Sequence, residues 1–411
     1  MTGALLAADP LLSGGVGFSI VLVVVVKVVL AFVFLMIAVL LMVWFERKVI
    51  AGMQNRVGPN KAGPFGLLQT LADGIKLFFK EDLLPERADR FVFKLAPYLS
   101  LVPAFLVFTV IPIGGDFSKT SAHPGQISMW GHWTLFQLAD PPIGILFVLA
   151  MSSVAVYGIM LAGWASGSKY PLLGSVRASA QMVSYEAALG MSVAAVLLVS
   201  RTLSTVGIVA KQDQVGSWNL VSTLVVPFVI FVIAATAELN RPPFDLVEAE
   251  QELVGGFNTE YASLRFALFF LAEFMNTVTM SAIIVTLFLG GPQPPFRFLH
   301  NLPGPGWLWG IVWFFSKLFV FLYMYVWFRA TLPRFRYDQL MDLGWKVLIP
   351  VSFGWLLLLI VNRVVTSIGW DRVGRLGAML SAVIVIMLGY LLLARALQVS
   401  AARRSEEGTM Y

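Results

Sequence analysis

Long apolar stretches follow one another along this chain, separated by shorter polar segments. A helix of about 20 apolar residues crosses a hydrocarbon core of about 30 Å, whereas a membrane barrel shows segments of about ten residues with alternating hydrophobicity. The apolar positions here have no such alternation. The pattern therefore predicts an all-α fold, a polytopic transmembrane helix bundle whose spans satisfy their own backbone hydrogen bonds. Nine spans are predicted, at residues 18–45, 92–114, 142–165, 180–200, 219–239, 264–290, 308–330, 345–363 and 376–396.

A shorter segment between the first two spans has a two-sided pattern. Its apolar positions are Leu67, Leu68, Leu71, Ile75, Phe78 and Phe79, and the polar positions opposite them are Gln69, Asp73, Lys76 and Lys80. A helix of about 16 residues is too short to span, so we predict an in-plane amphipathic helix at 65–80 with its Phe and Leu side chains in the acyl region. This helix either caps the bundle or lies over a lateral opening for a lipid-soluble molecule.

The composition is that of a membrane protein and excludes a soluble domain. The chain is 58% hydrophobic and 13% charged, with a net charge of +6 and a mean hydropathy of +0.81. If the N-terminus lies outside, most of the 29 Lys and Arg residues fall in the inside loops and the C-terminal tail, as the positive-inside rule requires. We therefore expect no nucleic acid as a partner. The first span is too long for a signal peptide and has no basic leader, so we expect it to be retained.

The chain contains no cysteine, which excludes cysteine-ligated iron–sulfur clusters, thiol catalysis and disulfides. Its histidines, His123, His132 and His300, are predicted in loops on one face. Haem ligation within a membrane needs histidine inside a span, so we expect no haem. A metal site built by one or two of these histidines is the alternative to solvated loop residues. If redox chemistry takes place, another subunit must carry the electrons.

Carboxylates occur inside the predicted spans. Glu186 lies near the start of the fourth span, Glu238 ends the fifth, and Glu273 lies well inside the sixth. An ionised, unpaired carboxylate at such depth costs several kcal/mol, so these side chains should face the bundle interior or a water-filled cavity. Desolvation and mutual repulsion both favour proton uptake there. The three acids therefore predict a proton or cation route from the inner surface to the middle of the membrane.

An acidic segment with one arginine, Arg241, follows the fifth span. Asp245, Glu248 and Glu252 are spaced i, i+3 and i+7, which places them on one face if the segment is helical. In an extended strand, Glu248, Glu250 and Glu252 would share a side instead. Like charges at neighbouring positions destabilise the folded segment, so we expect a binding partner or a function to account for them. It either continues the proton route into this loop or forms a docking surface for a basic partner.

Four segments on the predicted inside resemble one protein family. They are "ERKVIAGMQNRVGPNKAGPFGLLQTLADGIKLFFKE", "SKYPLLGSVRASAQMVSYE", "AELNRPPFDLVEAEQELVGGFNTEY" and "RATLPRFRYDQLMDLGWK", in this order. They are similar to segments of the quinone-chamber membrane subunit of respiratory complex I, the proton-translocating NADH:quinone oxidoreductase. That family has an eight-helix core. We therefore divide the chain into a quinone-chamber and proton-pathway domain at 1–365 and an extra C-terminal transmembrane helix with a charged tail at 366–411.

The resemblance implies a translocase subunit with no redox centre of its own. In that family, quinone enters from the bilayer into a narrow chamber roofed by hydrophilic subunits, where an iron–sulfur cluster of a neighbour reduces it. Quinone, as ubiquinone or menaquinone, is then the substrate, and this chain binds no iron–sulfur cluster, flavin or haem. The implied partners are the hydrophilic module, the small and antiporter-like membrane subunits, and membrane lipids. The implied location is the bacterial cell membrane, with the N-terminus outside and the C-terminus cytoplasmic.

The resemblance also assigns roles to individual residues. Those of the quinone entrance and chamber are Glu46, Arg47, Lys48, Gln54, Arg56, Asp73, Arg334 and Arg336. Those of the proton pathway and coupling loop are Glu186, Glu238, Asp245, Glu248, Glu250, Glu252 and Glu273. It assigns no metal ligand. Two alternative functions stay open: the equivalent subunit of a membrane-bound hydrogenase-type complex, and a stand-alone cation–proton antiporter.

Overall fold

The computed structural model describes residues 9, 11, 17–115, 117, 125–246, 254–296, 298–299, 303–369, 374, 377–391 and 395. These residues form a helix bundle with one short β-hairpin, so the predicted all-α bundle is confirmed. The helices are α1 (Phe18–Met53), α2 (Gln69–Phe79), α3 (Arg90–Phe108), α4 (Gly144–Ala165), α5 (Lys169–Ser200), α6 (Thr205–Ala210), α7 (Asn219–Ser222), α8 (Val226–Glu238), α9 (Ser263–Phe288), α10 (Gly306–Thr331), α11 (Tyr337–Ile368) and α12 (Gly377–Leu391). Helix α11 contains a π-helical turn at Leu343–Leu348.

Within the described residues, seven helices are long and apolar enough to cross a membrane, and they coincide with seven of the nine predicted spans. They are α1, α3, α4, α5, α9, α10 and α11. The other two predicted spans correspond to shorter apolar helices, α8 and α12. Helix α9 is the most enclosed of the seven, because 72% of an apolar 18-residue segment within it is buried. It therefore lies at the centre of the bundle.

The fifth predicted span is interrupted near its start, between α7 and α8. Leu224 and Val225 in this interruption have φ angles of 61° and 65°. Pro227 in the first turn of α8 has no backbone N–H and cannot continue a helix from before this point. Trp355 Nε1 donates to the Thr223 carbonyl oxygen at 3.0 Å. This contact satisfies a backbone group that a break in a span leaves open.

The amphipathic helix between the first two spans is confirmed, but it begins at Gln69 instead of residue 65. The preceding turn prevents an earlier start, because Gly66 has a φ of 78° and a Cβ there would collide with the Pro59 carbonyl oxygen. Trp44 Nε1 on α1 donates to the Phe65 carbonyl oxygen in this turn at 3.0 Å. The turn thus attaches the start of α2 to α1.

The apolar side of α2 faces away from the bundle. Phe78 and Phe79 are 62% and 81% exposed. At the start of α9, Ser263 Oγ donates to the carbonyl oxygens of Leu77 and Lys80, at 3.0 and 2.8 Å. Helix α2 is therefore held against the bundle at both ends and presents an apolar surface to the surroundings, as expected for an in-plane position in the membrane.

The loops gather at two ends of the bundle, which we call the charged end and the hairpin end. The charged end is where α1, α4, α8 and α10 finish and α3, α5, α9 and α11 begin. Its described residues are 46–90, 166–169, 238–246, 254–263 and 329–346. The hairpin end, at the opposite side, contains strands β1 (Gln126–Met129) and β2 (His132–Leu135), which pair antiparallel.

The β-hairpin is a feature that the hydrophobic pattern does not predict. Its turn residues Trp130 and Gly131 have φ angles of 49° and 82°, and positive values at both positions match the two-residue turn that joins such strands. His132 lies in β2, in the connection between α3 and α4, so its predicted position outside the spans is confirmed, and its Nε2 lies 3.2 Å from Ser19 Oγ. His123 and His300 lie outside the described residues.

Two glycines bring α4 close to its neighbours. A Cβ at Gly158 would collide with Ser100 Oγ of α3, and a Cβ at Gly163 would collide with the Pro171 carbonyl oxygen of α5. The absence of a side chain at both positions therefore permits the close approach. The resulting position of α4 determines which of its side chains reach the bundle interior.

Candidate functional site

A cavity at the charged end brings three of the predicted acids together, and we call it the acid cavity. It has a volume of about 60 Å³ and is bordered by Glu238, Asp245 and Glu273. Glu238 is the last residue of α8, Asp245 lies in the segment that follows, and Glu273 lies on α9. The other polar side chains of its lining are Ser100, Asn240, Asn258 and Asn276. The volume holds a few water molecules, since one water needs about 10–15 Å³ of such space.

A second cavity of about 40 Å³ lies beside the acid cavity, on the side of the hairpin end. Both are bordered by Glu238 and Asn276, and the second also reaches Ser152 on α4 and Thr279 on α9. Glu238 is only 7% exposed. This acid is therefore enclosed in the bundle and lies at the junction of the two cavities.

Several buried polar atoms of residues that border the two cavities have no hydrogen-bond partner among the described residues. They are Ser100 Oγ, Asn258 Oδ1, Glu238 Oε2 and Thr279 Oγ1. Buried polar atoms are nearly always hydrogen-bonded, either to protein or to ordered water. Because these atoms border cavities that are large enough for water, they favour hydrated cavities over dry ones.

Two adjacent serines of α4 hold two of the predicted acids. Ser152 Oγ donates to Glu238 Oε1, and Ser153 Oγ donates to Glu186 Oε1. Glu186 lies on α5, so the two acids approach the same turn of α4 from different helices. Neither serine is among the residues predicted from the sequence. The available signal is a pair of hydroxyls inside an apolar span, "AMSSVAV".

Arg241 is a buried arginine that connects two acids from distant parts of the chain. Its Nη1 lies 2.6 Å from Glu46 Oε2, and its Nε lies 3.4 Å from Glu273 Oε1. Arg329 Nη1 forms a second ion pair with Glu46. Arg241 and Glu46 are 2% and 4% exposed, and buried charges need such partners. We call Glu46, Arg241, Glu273 and Arg329 the ion cluster.

Arg47 and Asp73 join the end of α1 to α2. Arg47 Nη1 lies 2.6 Å from Asp73 Oδ2, and both side chains are partly exposed. Gln69 Nε2 also donates to Asp73, at 3.1 Å. Arg47 thus lies on the outside of the bundle, whereas its neighbour Glu46 is buried in the ion cluster. The resemblance assigns both Glu46 and Arg47 to the quinone entrance, but the first is buried and the second is exposed.

Three further residues of the predicted entrance lie at or just after the end of α1. Lys48 Nζ donates to the Pro59 carbonyl oxygen at 3.2 Å. Gln54 and Arg56 are exposed. All three are close in sequence to the turn that precedes α2, so the fold brings polar side chains to the charged end beside an exposed apolar helix.

The two arginines predicted for the chamber have different environments. Arg334 Nη2 lies 3.1 Å from Asp245 Oδ2, and Asp245 is only 4% exposed. Phe335 N donates to the Pro243 carbonyl oxygen at 3.1 Å, so the segment after α10 covers the segment after α8. The Arg336 side chain is instead 80% exposed.

The remaining predicted acids, Glu248, Glu250 and Glu252, lie outside the described residues. The helical face predicted for Asp245, Glu248 and Glu252, and the strand side predicted for Glu248, Glu250 and Glu252, therefore stay predictions. In the part of the chain that the structure describes, no group of three or more His, Cys, Asp or Glu side chains is arranged to hold a metal ion. The site consists of carboxylates, hydroxyls and amides that border two small cavities with otherwise apolar walls.

Comparison with known proteins identifies relatives over most of the chain. Residues 26–360 match the family described as NADH dehydrogenase. The H subunit of NADH-quinone oxidoreductase from Streptomyces avermitilis is 51% identical over 350 residues, which covers 85% of this chain and 75% of the relative. The proteins of the same name from Frankia alni and Frankia casuarinae are 52% and 53% identical, and they cover 87% and 82% of this chain. The aligned regions cover 76% and 72% of those two relatives.

Proposed function

Because the chain belongs to the family of the NADH-quinone oxidoreductase H subunit, a membrane subunit of a proton-translocating complex, we propose that it couples quinone reduction to proton movement. The proposal rests mainly on the acid cavity, where Glu238, Asp245 and Glu273 border one volume. Carboxylates that border one cavity large enough for water can exchange protons through that water.

The proposed proton route begins at Asp245, which lies under the half-exposed Arg334. It crosses the acid cavity to Glu238 and Glu273 and continues past α4 to Glu186. Glu186 lies near the middle of the 32-residue helix α5. The route therefore leads from the charged end into the interior of the bundle, where a proton could not travel without ionisable groups or water.

The coupling is proposed to act through the ion pair between Arg334 and Asp245. A neighbouring cation stabilises the charged form of a carboxylate. Two-electron reduction makes the quinone negatively charged until it takes up two protons and becomes the neutral quinol. In the proposal this transient charge attracts Arg334 and weakens its pair with Asp245, which then takes up a proton from the acid cavity. Once the quinol has formed, Arg334 returns and Asp245 releases its proton. Arg241 offers a second connection, because it is shared by Glu46 and Glu273 and a shift toward one acid weakens its contact with the other.

Quinone is proposed to enter beside α2. The exposed apolar side of α2 suits a molecule that arrives from the acyl region of the bilayer. The polar residues next to it suit a quinone headgroup. They are Arg47, Lys48, Gln54, Arg56 and Asp73, and Arg336 lies exposed at the same end of the bundle. Ubiquinone and menaquinone both fit this description as substrates.

The proposed partners follow from the two kinds of surface. The exposed arginines of the charged end suit hydrophilic subunits that carry iron–sulfur clusters, and the apolar flanks suit small and antiporter-like membrane subunits. We place this integral membrane protein in a bacterial cell membrane, with the charged end on the cytoplasmic side because of its basic residues. Residues 366–411 are proposed as an addition to the family core, since the family match ends at residue 360.

The test uses Glu238→Gln and Asp245→Asn in the assembled complex, reconstituted in proteoliposomes. We expect both variants to lower the rate of NADH-driven quinone reduction and the number of protons moved per electron. The matched control is Asp342→Asn, since Asp342 lies at the same end but is 58% exposed and pairs with Lys346 at 2.6 Å. Normal turnover with a normal proton-to-electron ratio in both acid variants would contradict the proposal.

A further inference from the structure

Two serines of α4 connect the acids of two other helices. We propose that Ser152 and Ser153 are positioning residues that set how readily Glu238 and Glu186 take up a proton. Ser152 Oγ donates to Glu238 and Ser153 Oγ donates to Glu186. The inference rests on the proposed function, because it concerns the same proton route, and it adds two residues that no resemblance assigns.

Ser152 differs from most hydroxyls within the long helices, which donate to a carbonyl oxygen of their own helix. Ser281 Oγ on α9 donates to the Thr277 carbonyl oxygen of its own helix at 2.7 Å, which is the usual arrangement inside a helix. Among the described residues, Ser152 Oγ donates to Glu238 on another helix. A hydroxyl that donates to a carboxylate stabilises its charged form, and such bonds are stronger than neutral ones. The contact therefore acts on proton affinity as well as on packing.

Ser153 has two acceptors for its single proton. Its Oγ lies within hydrogen-bond distance of Glu186 and of the Leu149 carbonyl oxygen, the latter at 3.1 Å. A hydroxyl can donate one proton and accept at two lone pairs. When Glu186 is charged, Ser153 donates to it. When Glu186 is protonated, it donates to Ser153 Oγ, and the hydroxyl proton turns to Leu149. Ser153 can therefore hydrogen-bond to Glu186 in both the charged and the protonated state of that acid, without backbone movement.

Glu238 has one oxygen held by Ser152 and a second that borders space for water. Its Oε2 has no hydrogen-bond partner among the described residues, and the residue borders both cavities. Other ionisable groups also face this carboxylate. They are Glu186 from α5, Asp245 and Glu273 across the acid cavity and Tyr325 from α10. Arg241 pairs with Glu46 and Glu273, and Ser152 Oγ donates directly to Glu238.

The backbone of α4 keeps the two hydroxyls in place. Ser152 and Ser153 are consecutive, so their side chains point about 100° apart around the helix, one toward α8 and the other toward α5. The glycine contacts of Gly158 with α3 and Gly163 with α5 restrict the position of α4. Each serine therefore meets a carboxylate from a fixed direction, which is what a positioning residue requires.

The test compares variants that differ only in the hydroxyl. Ser152→Val and Ser153→Val remove it, whereas Ser152→Thr and Ser153→Thr keep it at a nearly identical side-chain shape. The assembled complex is reconstituted in proteoliposomes, and NADH-driven turnover is measured against pH. Without the donor, the charged carboxylate is less stable, so we expect the midpoint of the profile to move up by about one pH unit in the valine variants. The threonine variants should retain the wild-type midpoint.

Ser281→Ala is the control, because it removes a buried hydroxyl that donates within its own helix, and its profile should be unchanged. If the valine variants do not assemble, alanine at the same two positions is compared with the wild-type serine, from which it differs only in the hydroxyl. The glutamine variants Glu238→Gln and Glu186→Gln distinguish the two proposals. If they lose proton pumping but the variants without a serine hydroxyl keep the wild-type pH profile, this inference alone is overturned. Normal pumping by both glutamine variants instead overturns the proposed function, and this inference with it.

Discussion

Arg241 and Glu46 form a buried ion pair with 2.6 Å between Nη1 and Oε2, although 195 positions separate them in the sequence. The pair joins the segment after α8 to the end of α1, and Arg241 also reaches Glu273 on α9. Because both side chains are almost fully buried, neither charge can turn to water when its partner is removed. The pair therefore stabilises the charged end and also shapes the environment of an acid that borders the acid cavity.

Removal of the Arg241 charge should destabilise the protein strongly. We expect Arg241→Met to lower the free energy of unfolding by about 3–5 kcal/mol, the usual cost of leaving a buried charge without its partner. The measurement is the thermal-unfolding temperature of the purified complex in detergent. Arg336→Met is the control, because that side chain is 80% exposed and exposed pairs contribute little. Similar unfolding temperatures for the two variants would argue against a structural role of the ion cluster.

The turn before α2 should be sensitive to a single methyl group. Gly66→Ala introduces a Cβ that collides with the Pro59 carbonyl oxygen at a φ of 78°, a backbone conformation that costs a non-glycine residue about 1–2 kcal/mol. We expect α2 to shift and the apparent KM for quinone to rise, with a smaller change in kcat. Gly74→Ala within α2 is the control, because a Cβ there meets nothing within 4 Å. An unchanged KM for quinone in Gly66→Ala would show that the position of α2 does not affect quinone entry.

The close approach of α3 and α4 should depend on Gly158. Gly158→Ala places a Cβ against Ser100 Oγ and the backbone of α3, so we expect a loss of about 1–3 kcal/mol in stability from overpacking. Gly190→Ala in α5 has no atom within 4 Å of the added Cβ and should stabilise its helix by up to about 1 kcal/mol. Thermal unfolding of the two variants measures the difference. A Gly158→Ala protein as stable as Gly190→Ala would contradict the packing described for α4.

Asp140 should make stability depend on pH at the hairpin end. Burial raises the pKa of the Asp140 carboxyl, and the hydrogen bonds from Ser204 Oγ, at 2.9 and 2.8 Å, offset this effect only in part. The folded protein therefore holds the proton of the Asp140 carboxyl more tightly than the unfolded chain does. The protonated carboxyl contributes fully to stability below the ordinary pKa of Asp, and this contribution is lost as the pH rises through the raised pKa of the folded state.

Asp140→Asn cannot titrate and keeps an oxygen that accepts from Ser204. We therefore expect its unfolding temperature to fall less than that of the wild type as the pH is raised from about 4 toward neutrality. Asp342→Asn, at the exposed surface of the charged end, serves as the control and should follow the wild-type curve. Parallel curves for Asp140→Asn and the wild type would show that this carboxyl does not titrate differently in the folded state.

The membrane spans could be predicted because they depend on local properties. Seven apolar stretches have helices of sufficient length, and α2 has the two-sided pattern that its short length requires. The interruption at Leu224 and Val225 escaped prediction, since both residues are apolar and do not lower the hydropathy of the stretch. Pro227 was the local signal, but a proline in the first turn of a helix is also compatible with a continuous apolar span.

The acids of the site could be predicted as a set, but their partners could not. Glu186, Glu238 and Glu273 stand out because a carboxylate inside a span is costly. Their contacts with Ser153, Ser152 and Arg241 depend on which helices are neighbours and how each is rotated. Serines in a span usually donate to the backbone of their own helix. The sequence alone therefore does not show that Ser152 donates to another helix whereas Ser281 does not.

By itself, the sequence determined that this chain crosses a membrane several times, that α2 lies beside the spans, and that acids are kept from lipid. These properties follow from the transfer of single side chains and short segments to hydrocarbon, which needs no knowledge of distant residues. Only the tertiary structure decided that Glu46 is buried against Arg241 and that Glu238 meets Ser152, 86 positions away. Such contacts arise from helix packing, where the approach permitted by Gly158 and Gly163 selects neighbours that no local pattern encodes.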